Sequence, residues 1–457
     1  MSSFYVLNSP YSLRLQDQQA FLFKDHHALF PVEFVPKPKF YDLVTRKGVP
    51  YSKIALLHGK DCLATSVFQK CSFWNSQQRC RFCGIELSLA DGNTIEVKSP
   101  SELAELALKS KELDLVRHVV LTTGTQRPPG KEIFHLAKCT KAIKNKTKLP
   151  VHVQCMPPSD MDGFKILKDS GVDTIGIHIE CFDKQILSHI APVKASIGLE
   201  RYKRAWKDAV DIFGANQVSS FIIVGLGERI DSVIWGSEYL SDLGVFPFVV
   251  PLRPIPGSLM ENALPPDPEV MKYVYNTVAE NLKTKGLSSS QSKAGCVLCG
   301  ACSAISRFEQ TSDRFVCYPA ITESELSEAL KIRRQTFVKE QKMFLHSDED
   351  DNDSKSVHLL AKMGDKIVGT VRVFPTHNNG TWIGGRLSVK KSFRTSGVGK
   401  LLVQEAVRYV KRYGCCRFVA YIQKNNVSFF SHLGWKPVGS LEQYCGKPHQ
   451  LMEVDLD

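Results

Sequence analysis

The chain has 457 residues, 43% hydrophobic and 23% charged, with a formal net charge of +12. That length exceeds one typical domain, and that composition excludes a disordered, collagenous or membrane-embedded polypeptide. Fourteen cysteines in so long a chain exclude a small secreted disulfide scaffold, and their clustering points to metal ligation in a reducing compartment.

Residues 1–50 form an N-terminal extension in which Pro31, Pro36 and Pro38 break any long element. Its opening text lacks the basic and apolar stretches of a signal peptide. From residue 51 the text becomes periodic. An apolar segment at 62–68 reads as a buried strand feeding the loop CSFWNSQQRCRFCG, residues 71–84. Ser99 and Pro100 start a helix with Leu103, Leu106, Ala107 and Leu108 on one side. Strand-like segments follow at 118–121, 151–154, 174–179, 219–224 and 246–251. They alternate with helix-like segments that include one from Asp160 to Lys168 and one at 199–213. The strands end at residues 122–125, Glu180, 225–228 and 253–257. Six strands, each followed by a helix, imply a parallel sheet curled into a partial (β/α)6 barrel over residues 51–302, with its chemistry at the strand C-termini.

After a helix near 267–283 comes Ser/Gly/Lys-rich text, then Cys296, Cys299 and Cys302. Residues 303–320 read as a linker. From residue 321 to 457 the pattern is α+β. It has a helix at 323–339, an acidic loop at 348–353 and a hairpin of 357–362 with 367–374 around Gly364 and Asp365. A strand at 382–389, a helix at 398–413, a strand at 417–422 and a short helix at 427–433 complete it. No apolar run reaches bilayer-crossing length, so the expectation is a cytoplasmic protein with no membrane partner. The positive charge permits RNA or a phosphorylated cofactor as partner, although a solvated basic face, densest at 138–148, is the plainer reading.

Cys71, Cys80 and Cys83 share one loop, with Phe82 before the last and Gly84 after it. Three thiolates suit an iron–sulfur cube with one open iron, and the loop offers no fourth His or Cys for a structural zinc. This half resembles the radical S-adenosylmethionine superfamily, whose usual CxxxCxxC has a first gap of eight residues here. The resemblance implies that Cys71, Cys80 and Cys83 hold a 4Fe-4S cluster whose open iron takes the amino and carboxylate groups of S-adenosylmethionine. Reductive cleavage then yields a hydrogen-abstracting 5′-deoxyadenosyl radical, with a flavodoxin- or ferredoxin-type electron donor. It also places Thr123, Gly124 and Thr125 at the methionine amino group, though without the family's usual acidic residue. Glu180 falls against cofactor polar groups, and Ile222, Val224 and Gly225 along the adenine. Glu180 and Glu228 also read as helix-start carboxylates. Cys296, Cys299 and Cys302 invite a second iron–sulfur cluster or a zinc, with Cys317 as candidate fourth ligand. Cys155, Cys181, Cys415 and Cys416 read as core residues.

In the second half, Arg394, Gly397 and Gly399 follow a strand and open a helix, Asn425 and Asn426 follow the next strand, and FFSHLGW occupies residues 429–435. These features resemble the GCN5-related N-acetyltransferase (GNAT) fold. Backbone N–H groups of Gly397, Val398, Gly399 and Lys400 at a helix N-terminus suit a pyrophosphate. The resemblance implies acetyl-CoA, with Arg394 and Asn426 beside it and its carbonyl held by backbone N–H near Leu387 and Val389. Glu340, Asp350 and His358 are candidate bases, and Tyr444 is the candidate acid.

Two families join such halves. The text TFVKEQKMF, GTVRVF, WIGGRLSV and NVSFFSHLGW resembles the "nitrogen starvation" acetyltransferase paired with a radical enzyme in a nitrilase gene cluster. The Elongator catalytic subunit, which acts on tRNA wobble uridine, shares a long first cysteine gap, but this chain is shorter and carries Trp435 where that family has tyrosine. The favoured expectation is a bifunctional enzyme, with radical chemistry on a small molecule and acyl transfer to an amine. The alternatives are a tRNA-modifying enzyme and a non-catalytic metal-binding scaffold.

Overall fold

The computed structural model describes residues 11–16, 19–34, 36–127, 130–158, 162–309, 315–364, 366–376 and 380–456. Contacts divide the chain into two units, Met1–Asp267 with Thr277–Gln310, and Pro268–Asn276 with Thr311–Asp457. Asp160, Asp365 and part of the expected linker lie outside the described residues.

The first unit is built on a seven-stranded sheet. Its order is Phe246–Pro251, Val218–Val224, Thr174–Gly176, Val151–Gln154, His118–Thr122, Cys62–Ser66 and Leu56–His58. The six strands from Cys62–Ser66 onward pair in parallel, and Leu56–His58 adds an antiparallel edge. The partial barrel expected from the alternation is therefore present. Its strands read as apolar runs because helices cover their outer faces. Ser99 caps the helix Pro100–Asp114 by accepting from the Glu102 N–H, and Pro100 occupies the first turn, where its missing donor costs nothing. Gly198 and Gly214 bracket the helix Leu199–Phe213, which buries Tyr202, Ala205, Trp206, Ala209 and Phe213 on one stripe. Trp206 is fully buried and its indole N–H donates to the Ile177 carbonyl at 2.9 Å. Truncating a buried side chain of that size typically costs ~3–5 kcal/mol.

Residues 294–303 run against the strands of this barrel. Thr174 Oγ1 donates to the Ala294 carbonyl at 3.2 Å, the Gly295 N–H donates to His118 Nδ1 at 3.3 Å, and Ser303 Oγ donates to the Val249 carbonyl at 2.6 Å. The N-terminal extension differs from expectation. It contains a three-stranded antiparallel sheet, Tyr11–Gln16, Gln19–Lys24 and His27–Val32, the last an edge strand that runs through Pro31.

The second unit has a sheet ordered Val316–Pro319, Val357–Met363, Lys366–Pro375, Thr381–Val389, Arg417–Gln423, Lys447–Val454 and Trp435–Tyr444. Val316–Pro319 belongs to this sheet, so the segment read as linker already contributes structure, and the terminal hairpin was not anticipated. The helix Glu323–Arg334 starts on a capping box between Thr322 and Glu325 and continues as a π-helix over Gln335–Glu340. The helix Val398–Arg412 lays Val398, Leu402, Val403, Ala406 and Val410 into the core of this unit.

Candidate functional site

In the first unit, a cavity of about 400 Å3 opens at the C-terminal ends of the parallel strands and is lined by Cys71, Cys80, Cys83, Thr123, Gly124, Thr125 and Glu180. Local bonds bring the cysteine loop there. The Cys71 N–H donates to Glu86 Oε1 at 2.8 Å, the Ser72 N–H to the Thr125 carbonyl at 2.9 Å, and the Arg81 N–H to the Ile190 carbonyl at 2.8 Å. Gly124 is required by close approach, since a Cβ there would stand 1.9 Å from the Lys70 carbonyl oxygen. Burial pushes the Cys80 thiol up to about 12 and Cys83 up to about 11. Such thiols become thiolates only against a strong positive partner, and a metal is one. Among the described residues no group of three His, Cys, Asp or Glu side chains is poised around a single ion. What the three thiols share is the lining of one cavity.

Glu180 is joined by a residue that the sequence did not flag. Lys194, on the short helix Pro192–Ile197, donates to Glu180 Oε1 at 2.7 Å and to the His178 carbonyl at 2.6 Å. Burial works against its charge, but the Glu180 carboxylate outweighs it and the Lys194 pKa is raised. Glu228 does not face the cavity. Its two carboxylate oxygens accept the Gly225 and Leu226 N–H groups at 2.9 and 2.7 Å and shape the loop after the strand. The expectation for Ile222 and Val224 is corrected by the pleat. Phe221 and Ile223 line the cavity, and their neighbours alternate to the opposite face.

Cys296, Cys299 and Cys302 each have a polar neighbour in the first unit. Gln154 Nε2 donates to Cys296 Sγ at 3.3 Å, while His58 lies between the other two, Nδ1 at 3.3 Å from Cys299 Sγ and Nε2 at 3.5 Å from Cys302 Sγ. Hydrogen bonds to Cys299 and Cys302 raise His58 to about 9. Bonds from Cys62 and His58 bring Cys299 down to about 4, despite burial. Cys302 is lowered too, because its bond to His58 and the nearby His58 and Arg253 charges outweigh burial, and it also lines the cavity. Cys317 sits in the apolar core of the second unit, where burial holds its thiol up at about 12, so it is a packing residue. Cys155, Cys181 and Cys415 are buried and Cys416 is exposed.

In the second unit, the parallel pair Thr381–Val389 and Arg417–Gln423 is in register only from Thr381 with Arg417 to Gly384 with Ala420. Beyond that point the strands diverge, with a register shift near Thr370 and Arg372 on the neighbouring strand and Arg386 at φ +56°. Leu387 and Val389 stand on the diverging edge. Gly397, at φ +85°, precedes the helix Val398–Arg412, whose first N–H groups belong to Val398, Gly399 and Lys400. Arg394 donates through Nε to the Val389 carbonyl at 3.0 Å and is ion-paired with Glu340, which is therefore engaged by the loop. Asn426 precedes the helix Val427–Ser431.

Asp350 is a poor base. Burial opposes its charge, but the fork of Arg372, at 2.8 and 2.6 Å, and Arg386 at 3.2 Å hold its pKa below the usual carboxylate value. His358 is driven down to about 4 by burial and by the Arg333 charge, which makes it weakly basic. Tyr444 ends the strand Trp435–Tyr444, half exposed, edge-on to His449 with ring centroids 5.4 Å apart.

The profile of the radical SAM superfamily matches residues 76–234, a span that takes in Cys80 and Cys83 and begins after Cys71. The profile of the acetyltransferase (GNAT) family matches residues 320–435. A Bacillus subtilis (strain 168) protein named as an acetyltransferase is 31% identical over 139 residues, covering 30% of this chain and 93% of that protein. The bacteriochlorophyllide c C-7(1)-hydroxylase of Chlorobaculum limnaeum is 23% identical over 252 residues, 51% of this chain and 62% of that protein, so the chain spans under two thirds of its length. The solved structure of Escherichia coli ElaA matches at 22% identity and a TM-score of 0.29, covering 31% of this chain and 99% of its own. No helix among the described residues is long and apolar enough to cross a membrane. The scaffold alternative falls, and the chain is an enzyme that joins a radical SAM domain to a member of the GNAT acetyltransferase family.

Proposed function

We propose that the first unit performs radical chemistry on a small molecule bound in its cavity, and that the second transfers an acetyl group from acetyl-CoA to an amine. The observation that carries the first part is the gathering of Cys71, Cys80 and Cys83 on one cavity with Thr123, Gly124, Thr125 and Glu180. In this reading the three thiolates hold a 4Fe-4S cluster. When bound, that cluster supplies the electron that cleaves S-adenosylmethionine to a hydrogen-abstracting radical. The chain's own part is positioning. The ends of the strands orient the cofactor's polar groups, the Glu180–Lys194 pair fixes one wall, and the aromatic rim excludes water. The thiols of Cys296, Cys299 and Cys302, which Gln154 and His58 contact, are given no part in this reading.

In the second unit the diverging strands leave N–H groups near Leu387 and Val389 for the thioester carbonyl, and the N-terminus of Val398–Arg412 takes the pyrophosphate. Tyr444 remains the proposed acid and Glu340 the partner of the Arg394 loop. The deciding experiment is anaerobic reconstitution, followed by dithionite reduction with S-adenosylmethionine and assay of 5′-deoxyadenosine. Product is expected from the native sequence and is expected to vanish in Cys80→Ala; iron incorporation without cleavage would sink the radical half. Release of coenzyme A from acetyl-CoA on adding an amine panel tests the second half.

A further inference from the structure

The cavity holds four charged side chains, and only two of them compensate one another. Glu180 and Lys194 form a buried pair at 2.7 Å. Arg79 and Arg253 also line the cavity, and neither has a carboxylate partner among the described residues. Arg79 Nη2 makes one long bond, 3.4 Å to the Gly257 carbonyl, and its Nε is buried with no hydrogen-bond partner. Arg253 Nη2 likewise donates at 3.4 Å, to the Cys302 carbonyl. A guanidinium carries five N–H donors in a planar fork that matches a carboxylate. Arg79 is half-buried and gains most from an anion, whereas Arg253 is exposed and brings a solvated charge to the same cavity.

The apolar walls have a definite shape. Phe73 and Trp74 lie in the eight residues between Cys71 and Cys80, and both line the cavity with Phe82, Phe221 and Ile255. Each of the two loop aromatics is backed by a cation. The Arg79 guanidinium stands 3.5 Å from the Trp74 ring centroid, and that of Arg127 5.5 Å from Phe73. The long cysteine spacing therefore places two braced rings on the wall of the cavity.

We infer that the radical half acts on a small carboxylate with a flat apolar body, its anionic end held by Arg79 and Arg253 and its body against Trp74 and Phe73. This rests on the proposed radical reading. There, the carboxylate of S-adenosylmethionine is taken by the open iron and does not account for both arginines.

The test uses the full chain, reconstituted anaerobically with S-adenosylmethionine present, and two probes with the same rings, 1-naphthoate and 1-naphthamide. Binding is read from quenching of Trp74 fluorescence, with Trp74→Phe as the control that assigns the signal. The acid is expected to bind at least about tenfold more tightly than the amide. Arg79→Gln and Arg253→Gln are each expected to remove most of that preference, and Arg79→Lys to keep part of it. Equal binding of acid and amide, no binding of the acid at millimolar concentration, or a preference unchanged in both glutamine variants would overturn the inference. Should the glutamine variants fail to fold, the acid-to-amide ratio of the native sequence decides alone. Charge-blind binding alongside 5′-deoxyadenosine formation counts against this inference only, whereas no cleavage counts against the radical reading itself.

Discussion

Glu180 holds its carboxylate over the cavity at φ +75°, a left-handed conformation that a glutamate rarely adopts. The neighbouring strand over-determines it. The Glu180 N–H donates to the Phe221 carbonyl at 3.0 Å, and its own carbonyl accepts the Ile223 N–H at 2.8 Å. With Lys194 only 9% and Glu180 only 8% exposed, the pair is sensitive to loss of one member. Lys194→Met leaves a buried carboxylate unpaired and is expected to cost about 3–5 kcal/mol in urea unfolding, with much of it recovered in the double variant Glu180→Gln, Lys194→Met. A double variant no more stable than the single would refute the pairing as the cause. Glu180 was readable because a strand ends there. Lys194 was not, because only the turn through Lys184–Ile190 and Pro192–Ile197 returns it to the strand end. Arg79 was equally hidden, being one polar residue in a loop whose cysteines carried the signal.

At the scale of elements, the cysteine loop depends on the end of the strand His118–Thr122. Gly124 admits the backbone of Lys70 so closely that a methyl group has nowhere to go, since the obstacle is a carbonyl oxygen 1.9 Å away. Gly124→Ala is expected to push the loop outward, at a cost of at least about 1–3 kcal/mol, and to lower iron retention after reconstitution; normal iron content at native stability would show that the loop tolerates the displacement. The alternation of strand and helix was legible because buried parallel strands and amphipathic helices leave different periods in the text. Three features were not. The sheet Tyr11–Gln16, Gln19–Lys24 and His27–Val32 was hidden by the weight given to the prolines, although Tyr11, Leu13 and Leu15 alternate with Ser12, Arg14 and Gln16. The face of Val218–Val224 is ambiguous in a run of apolar residues. The divergence of Thr381–Val389 from Arg417–Gln423 depends on register rather than composition.

Across the whole molecule, several buried imidazoles act together on pH dependence. Burial, with a smaller push from His118, brings His152 down to about 3, and His178 is lowered by burial and the Lys194 charge. In the second unit, burial and Arg333 bring His358 to about 4. Each is neutral when folded, while the unfolded chain takes up protons near the ordinary value of about 6.5. Unfolding therefore binds protons below that value, so this stability is complete above pH 6.5 and is lost as pH falls towards 4. Cys299, lowered to about 4, acts in the same direction, whereas His58, raised to about 9, favours the folded state below pH 6.5 and loses that contribution as pH rises through 9. Between pH 6.5 and 9 the two members of this pair oppose each other, so the profile is expected to be nearly flat up to about pH 8, above which Lys98 and Cys302, both lowered, add stability as pH rises. Below pH 6.5 His58 no longer opposes the slope; Glu228, raised by burial, works against it only just above the ordinary carboxylate value, and Asp350 and Asp353, held low chiefly by Arg372 and Arg333 against burial, extend the loss below about pH 4. Chemical unfolding followed in steps from pH 8 to 4.5 should show a plateau and then a steady fall. His358→Gln should remove about 1–3 kcal/mol of that fall from the transition of the second unit and leave that of the first in place. A plateau that persists to pH 4.5 would mean that these histidines take up protons in the folded state, and that burial is not what holds them neutral.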